Sequence, residues 1–124
     1  MLDTNALSAF ADGDTALRPV IERETELSIP VIVLGEYLFG IRQSRQHSRY
    51  HEWLRRHLGA FSVLPVDAET ANHYAEIRAE LRSAGKPIPS NAVWIAALAR
   101  QHHQSVVSQH RHFKAVRGLP LITW

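Results

Sequence analysis

Two carboxylates stand out for their surroundings. Asp3 follows a short apolar start and precedes TNALSAF, and Glu36 lies in VIVLGEYLFG beside Leu34, Tyr37, Leu38 and Phe39. Removing an ionised carboxylate from water without a partner is costly, so acids placed this way want a cation, a metal ion or a set of hydrogen-bond donors. Each also has a plainer use. Asp is strongly preferred at helix N-caps, and a Glu near a helix start complements the helix dipole. Histidines offer other ligands: His102 and His103 are adjacent on a predicted helix and point apart, while His110 and His112 alternate around a loop near His103. Their spacing lacks the tight pattern of a dedicated histidine metal motif.

The elements that must position these groups read as an alternation. Leu34, Leu38 and Ile41 recur at helical spacing and predict a helix from about Val33 to Ser44. Tyr74, Ile77 and Leu81, with alanines beside them, predict a second from Ala68 to Ala84, stopped by Gly85 and Pro87. Short apolar runs at Met1–Asp3, Leu27–Pro30, Phe61–Val66, Ser105–Ser108 and Leu121–Thr123 read as strands. Short apolar strands between helices suit a parallel sheet covered on both faces, hence an α/β three-layer sandwich with a five-stranded, mainly parallel sheet. Ligands in such sheets bind at the carboxyl ends of the strands near the topological switch point, which is where Asp3 ends the first strand.

With 124 residues, 45% of them hydrophobic, the chain suits a single domain with a sizeable core. The absence of cysteine excludes a disulfide framework and thiolate metal sites, and a reducing cytoplasm is the expected compartment. No run has the length of a membrane span, and no basic-then-apolar leader is seen. All twelve acidic side chains fall at or before Glu80, so Arg82, Lys86, Arg100, Arg111, Lys114 and Arg117 meet no carboxylate in their own segment. A second basic cluster, Arg42, Arg45, Arg49, Arg55 and Arg56 with three histidines, is opposed only by Glu52. Either cluster suits a polyanion or an acidic peptide; the plainer reading is a solvated surface.

Asp3 in LDTN, Glu36 on its helix, the segment PIPSNAVWIAALA and the later VVSQHRHF together resemble the PIN domain family, especially the VapC-type toxins of toxin–antitoxin pairs. The resemblance spans essentially the whole chain and implies one PIN domain over residues 1–124. It also implies a metal-dependent endoribonuclease, in which about four carboxylates hold Mg²⁺ or Mn²⁺ for attack on an RNA phosphodiester. Asp3 and Glu36 match two of those positions. The other two differ: where the family pattern reads SND this chain has Ser90, Asn91 and Ala92, and where it reads TxD the chain has Ser108, Gln109 and His110.

The resemblance therefore implies Asp3 and Glu36 as catalytic metal ligands, with His110 a third donor only for a softer ion such as Mn²⁺ or Zn²⁺. Asn5, Asn91, Ala92, Ser108 and His110 are expected to line the site, and Arg42, Arg45, Arg49 and Arg111 to contact RNA. Mg²⁺ is commonly held by one or two carboxylates with waters and substrate phosphates, so one ion is compatible with two acids and a full two-metal site is not expected. Trp94, beside Ile95 and Leu98, is expected in the core rather than as a base-stacking platform. Family members pair with an antitoxin and are usually homodimers, for which Tyr37, Phe39, Trp53 and Leu54 supply aromatic and apolar surface. The alternative is a PIN module that binds RNA or an antitoxin without cutting. A receiver-like domain shares the layered class, but the chain lacks the acidic pair beside Asp3 and the late lysine that domain uses.

Overall fold

The computed structural model describes residues 1–124. Two parallel strand pairs, joined through the N-terminal segment, form its sheet. β1 (Leu27–Pro30) pairs with β2 (Phe61–Leu64), Leu27 facing Phe61, and β3 (Val106–Val107) pairs with β4 (Leu121–Ile122). The N-terminal residues join the two pairs. The Leu2 N–H donates to the Ser28 carbonyl at 2.9 Å, the Val107 N–H to the Met1 carbonyl at 2.8 Å, and the Asp3 N–H to the Val107 carbonyl at 3.1 Å. The order across the sheet is therefore β2, β1, the N-terminal segment, β3, β4. Connections run to one side first and to the other later, so the switch point lies between Met1–Asp3 and β3, and Asp3 and Ser108 emerge there.

The strands are shorter than the sequence predicts. The first is a single bridge from Leu2 to Val107, because α1 (Thr4–Ala11) begins directly after Asp3. The run expected to reach Val66 ends as a strand at Leu64, before Pro65, which has no N–H for a ladder.

Five further helices follow: α2 (Arg18–Arg23), α3 (Val31–Gln43), α4 (His47–His57), α5 (Ala68–Ser83) and α6 (Ser90–Gln101). Helix α3 starts two residues earlier than its periodicity suggests. Pro30 occupies its N-cap, where a missing N–H leaves no bond unmade. Its fully buried line is Val33, Tyr37 and Ile41, with Leu34 and Leu38 half-buried beside it. Helix α5 matches its predicted span within a residue. It is closed at its start by a capping box between Asp67 and Thr70 and followed by Gly85 at φ +68.

Helix α6 runs through the middle of the core: Ala92, Val93 and Ile95–Ala99 are all buried. Four alanines in that stretch allow neighbouring elements to approach closely. Helix α5 packs along it most extensively, and α3 also touches it. Trp94, expected in the core, is instead half-buried and stacks on the half-buried Tyr74 of α5 with ring centroids 4.0 Å apart, because Ala92, Val93 and Ile95 take the inward face of α6. His102 and His103 do not lie within the helix. His102 caps its end, and His103 adopts a left-handed conformation at φ +53. The surface expected to serve a homodimer is mostly internal. Tyr37 and Leu54 are buried, Trp53 packs edge-on against Phe10 and Tyr37, and only Phe39 is well exposed. No helix is long and apolar enough to cross a membrane.

Candidate active site

Asp3 is 4% exposed and held by three donors. Its Oδ1 accepts from the Thr4 N–H at 2.8 Å, and its Oδ2 accepts from Asn5 Nδ2 at 2.9 Å and from Ser108 Oγ at 2.8 Å. Asp3 thus caps α1 while standing in the switch-point crevice, so the plain and the chemical readings both hold. These donors give the buried carboxylate the hydrogen bonds it loses on leaving water. They also leave Oδ1 with only one bond, free to meet a further partner.

The donors are themselves ordered. Asn5 Nδ2 also lies 3.1 Å from Ser108 Oγ, and Asn5 Oδ1 accepts from the Gln109 N–H at 3.0 Å. Ser108 is wholly buried, and its Oγ accepts from the His110 N–H at 3.0 Å. Asn5 therefore tightens the site and ties α1 to the loop after β3. It is the second residue of its helix and not a cap.

Glu36 stands in the second turn of α3, half-buried, beyond the first turn where a carboxylate best complements the dipole. Thr4 Oγ1 donates to Glu36 Oε2 at 3.3 Å, and Asn91 Nδ2 donates to Oε1 at 3.3 Å. Thr4 consequently joins the two acids, its N–H on Asp3 and its hydroxyl on Glu36. Asn91, exposed in the first turn of α6, brings a third element to the same place. Sequence reasoning missed Thr4, whose one signal is adjacency to Asp3.

Ala92 is buried beside Asn91 and contributes no donor. His110 is exposed, and its ring stacks near that of His112 with centroids 5.8 Å apart. No three His, Asp or Glu side chains converge as a metal cage. His110 as a third ligand with Asp3 and Glu36 is therefore not borne out, because the loop turns its ring toward His112. The donor set fits one hard dication: two carboxylates with the Thr4 and Ser108 hydroxyl oxygens beside them, the remaining positions left to water or phosphate.

Arg42, Arg45 and Arg49 are exposed around the α3–α4 corner, and none is in an ion pair. Arg49 lies over the Tyr50 ring, 5.6 Å from its centroid. Arg111 is exposed in a 3-10 turn at Arg111–Ala115, beyond the Ser108 loop. By contrast Arg55 and Arg56 both bond Glu52, so part of the basic cluster is already neutralised.

A cavity of about 220 Å³ adjoins Glu36 between α1, α3 and α4. Tyr37 and Asp12 line it; Asp12 was not singled out from the sequence, and Tyr37 only as interface surface. Burial, and then the nearby Asp12 charge and Tyr50, push the Tyr37 hydroxyl up to about 12, so it keeps its proton.

A family model for the PIN domain matches residues 1–119. The chain is 26% identical to the ribonuclease VapC2 of Rickettsia felis, covering all of this chain and 96% of that protein. It is 28% identical to a tRNA(fMet)-specific endonuclease VapC of Shigella flexneri, again over all of this chain and 96% of the relative. Among solved structures, VapBC2 of Rickettsia felis bound to a promoter DNA fragment superposes with a TM-score of 0.89 at 25% identity, covering 100% of this chain and 97% of that one.

Proposed function

Since the chain belongs to the PIN domain family, we propose that it is a VapC-type endoribonuclease, the toxin of a toxin–antitoxin pair, hydrolysing an RNA phosphodiester at the Asp3–Glu36 crevice. The observation that carries this reading is the held Asp3 carboxylate, buried on three donors yet open at Oδ1, with Glu36 joined to it through Thr4. The similarity to the Rickettsia ribonuclease and the Shigella tRNA(fMet)-specific endonuclease supports it.

Asp3 and Glu36 would hold one Mg²⁺ or Mn²⁺. Such an ion supplies positive charge against the scissile phosphate and lowers the pKa of an attacking water. The chain's own part is positional. Ser108 and Asn5 keep Asp3 fixed, Thr4 and Asn91 hold Glu36 to face it, and Arg42, Arg45, Arg49 and Arg111 draw in the RNA backbone. An antitoxin partner is favoured by the VapBC assembly to which the fold is similar, and a homodimer is the expected state of the toxin itself.

Ala92 and His110 favour a second reading, a PIN module that binds RNA or an antitoxin without cutting. Cleavage of a mixed structured RNA in Mg²⁺, Mn²⁺ and EDTA separates the two, comparing the chain with Asp3→Asn and with the double variant Ala92→Asp, His110→Asp. The first reading expects metal-dependent cleavage that Asp3→Asn abolishes. Silence in the unaltered chain with activity in the double variant would establish the second.

A further inference from the structure

The cavity beside Glu36 is smaller than the pockets that take drug-sized molecules, and its size suits one planar ring system. Its polar lining is rich in acceptors: the carboxylates of Asp12 and Glu36, with the hydroxyls of Ser8, Ser44, Tyr37 and Tyr50. Tyr50 donates to Asp12 Oδ1 at 2.8 Å, which leaves Asp12 Oδ2 open. Tyr37 is the informative member. The residue is only 5% exposed, and its hydroxyl is buried with no hydrogen-bond partner at all. Buried polar groups are nearly always paired, so an orphaned hydroxyl on a cavity wall marks a place for a ligand's polar edge.

The chain beside the lining residues carries the opposite sign. Ile41 and Ser44 line the cavity, and Arg42 and Arg45 follow them directly in the chain. Arg49 lies over Tyr50, a lining residue, so the basic corner and the cavity share a wall. A cationic peptide would find the lining attractive and the neighbouring basic corner repulsive. A nucleotide satisfies both, with phosphate on the arginines and an amine edge on the acceptors.

We propose that this cavity is a base-reading subsite which accepts a nucleobase bearing an exocyclic amine, adenine or cytosine, in preference to uracil, with Tyr37 and Asp12 as the specificity-determining residues. It rests on the ribonuclease reading, since it places the base of a bound RNA next to Glu36. The amine donates to Asp12, and the Tyr37 hydroxyl bonds the adjoining ring nitrogen. Uracil presents a carbonyl where the amine would be, and that carbonyl would face Asp12 oxygen to oxygen.

Binding of fluorescein-labelled rA₆, rC₆ and rU₆ in EDTA tests this without cleavage. The expected result is that rA₆ or rC₆ binds about fivefold more tightly than rU₆, the scale of one or two net hydrogen bonds. Tyr37→Phe and Asp12→Asn should each erase that preference while leaving rU₆ affinity in place. Arg49→Gln should weaken all three oligonucleotides alike. Tyr37→Phe keeps the ring that packs against Trp53, and Asp12→Asn keeps an acceptor for Tyr50, so each variant checks the other for loss of fold. Equal affinity for the three oligonucleotides in the unaltered chain would overturn the subsite and leave the ribonuclease reading standing. Failure of all three to bind at low salt would remove that reading's RNA partner as well. An Arg-rich peptide that perturbs Tyr37 where the oligonucleotides do not would overturn the assignment in favour of a protein ligand.

Discussion

Asp3 shows how one carboxylate serves both fold and chemistry. It caps α1 through Oδ1 and binds Asn5 and Ser108 through Oδ2, so the acid that opens the helix is fixed by the loop after β3. Ser108→Ala removes a donor to Asp3 and an acceptor for the His110 N–H in a wholly buried position. It should cost about 1–3 kcal/mol in urea unfolding. Thr4→Val should leave stability nearly unchanged and lower the cleavage rate about tenfold, because it frees Glu36 without emptying the core. Tyr37 gives a pH prediction. Its folded pKa is raised from 10.0 to about 12, so the neutral form is favoured by the fold. That contribution is complete below pH 10 and is lost as pH climbs from there through about 12, since unfolded tyrosine ionises first. Chemical denaturation across this window should show stability falling in the unaltered chain and a flatter profile in Tyr37→Phe.

At the scale of elements, the same mechanism appears at the start of α5. Asp67 accepts from the Thr70 N–H at 3.0 Å and also bonds Thr70 Oγ1 and Gln101, which hold its carboxyl below the usual range. A depressed folded pKa gives stability that is present above the ordinary value of 3.8 and lost as pH falls through the folded one. Asp67→Ala should therefore lower the Tm at neutral pH and remove this group's share of the acid-side decline, as a pH series of thermal melts would show. Helix α6 carries the contrasting case. Placing an acid at buried Ala92 by Ala92→Asp should destabilise the metal-free protein, because the charge gains no cation there. Mg²⁺ should reverse that loss, and His110→Asp, on an exposed loop, should add to the Mg²⁺ response.

Across the whole molecule, charge is divided between the acidic crevice and the basic corner beside it. Replacing Arg42, Arg45 and Arg49 together by Gln should weaken RNA binding for every sequence. It should also reduce the slope of log affinity against log salt by about 2, as three lost phosphate contacts on a single strand imply. The crevice itself holds two acids where four would repel one another strongly, so the metal-free protein is expected to be little strained. Thermal melts should rise only slightly with millimolar Mg²⁺, and a rise of many degrees would contradict that.

The alternation of short apolar runs and helices, the limits of α5, the parallel class of the sheet and the pair Asp3 and Glu36 were all legible in the sequence. Each depends on local pattern: spacing of apolar residues, caps and breakers, or a charge placed among hydrophobic neighbours. The start of α3 at Pro30, the brevity of the first strand and the exact buried line of α3 needed the fold, because tertiary packing shifts element ends by a residue or two. So did the role of Thr4, whose hydroxyl meets Glu36 across 32 positions of chain, and the bond from Ser108 to Asp3 across 105. The orphaned Tyr37 hydroxyl was equally hidden, since an aromatic between Glu36 and Leu38 reads as apolar surface for packing or for an interface. Sequence patterns report what lies one helical turn or one strand pleat away. Which distant side chains share a hydrogen bond, and which buried hydroxyl is left without one, is decided when the N-terminal segment inserts between β1 and β3 and α1, α3 and α6 close around its end.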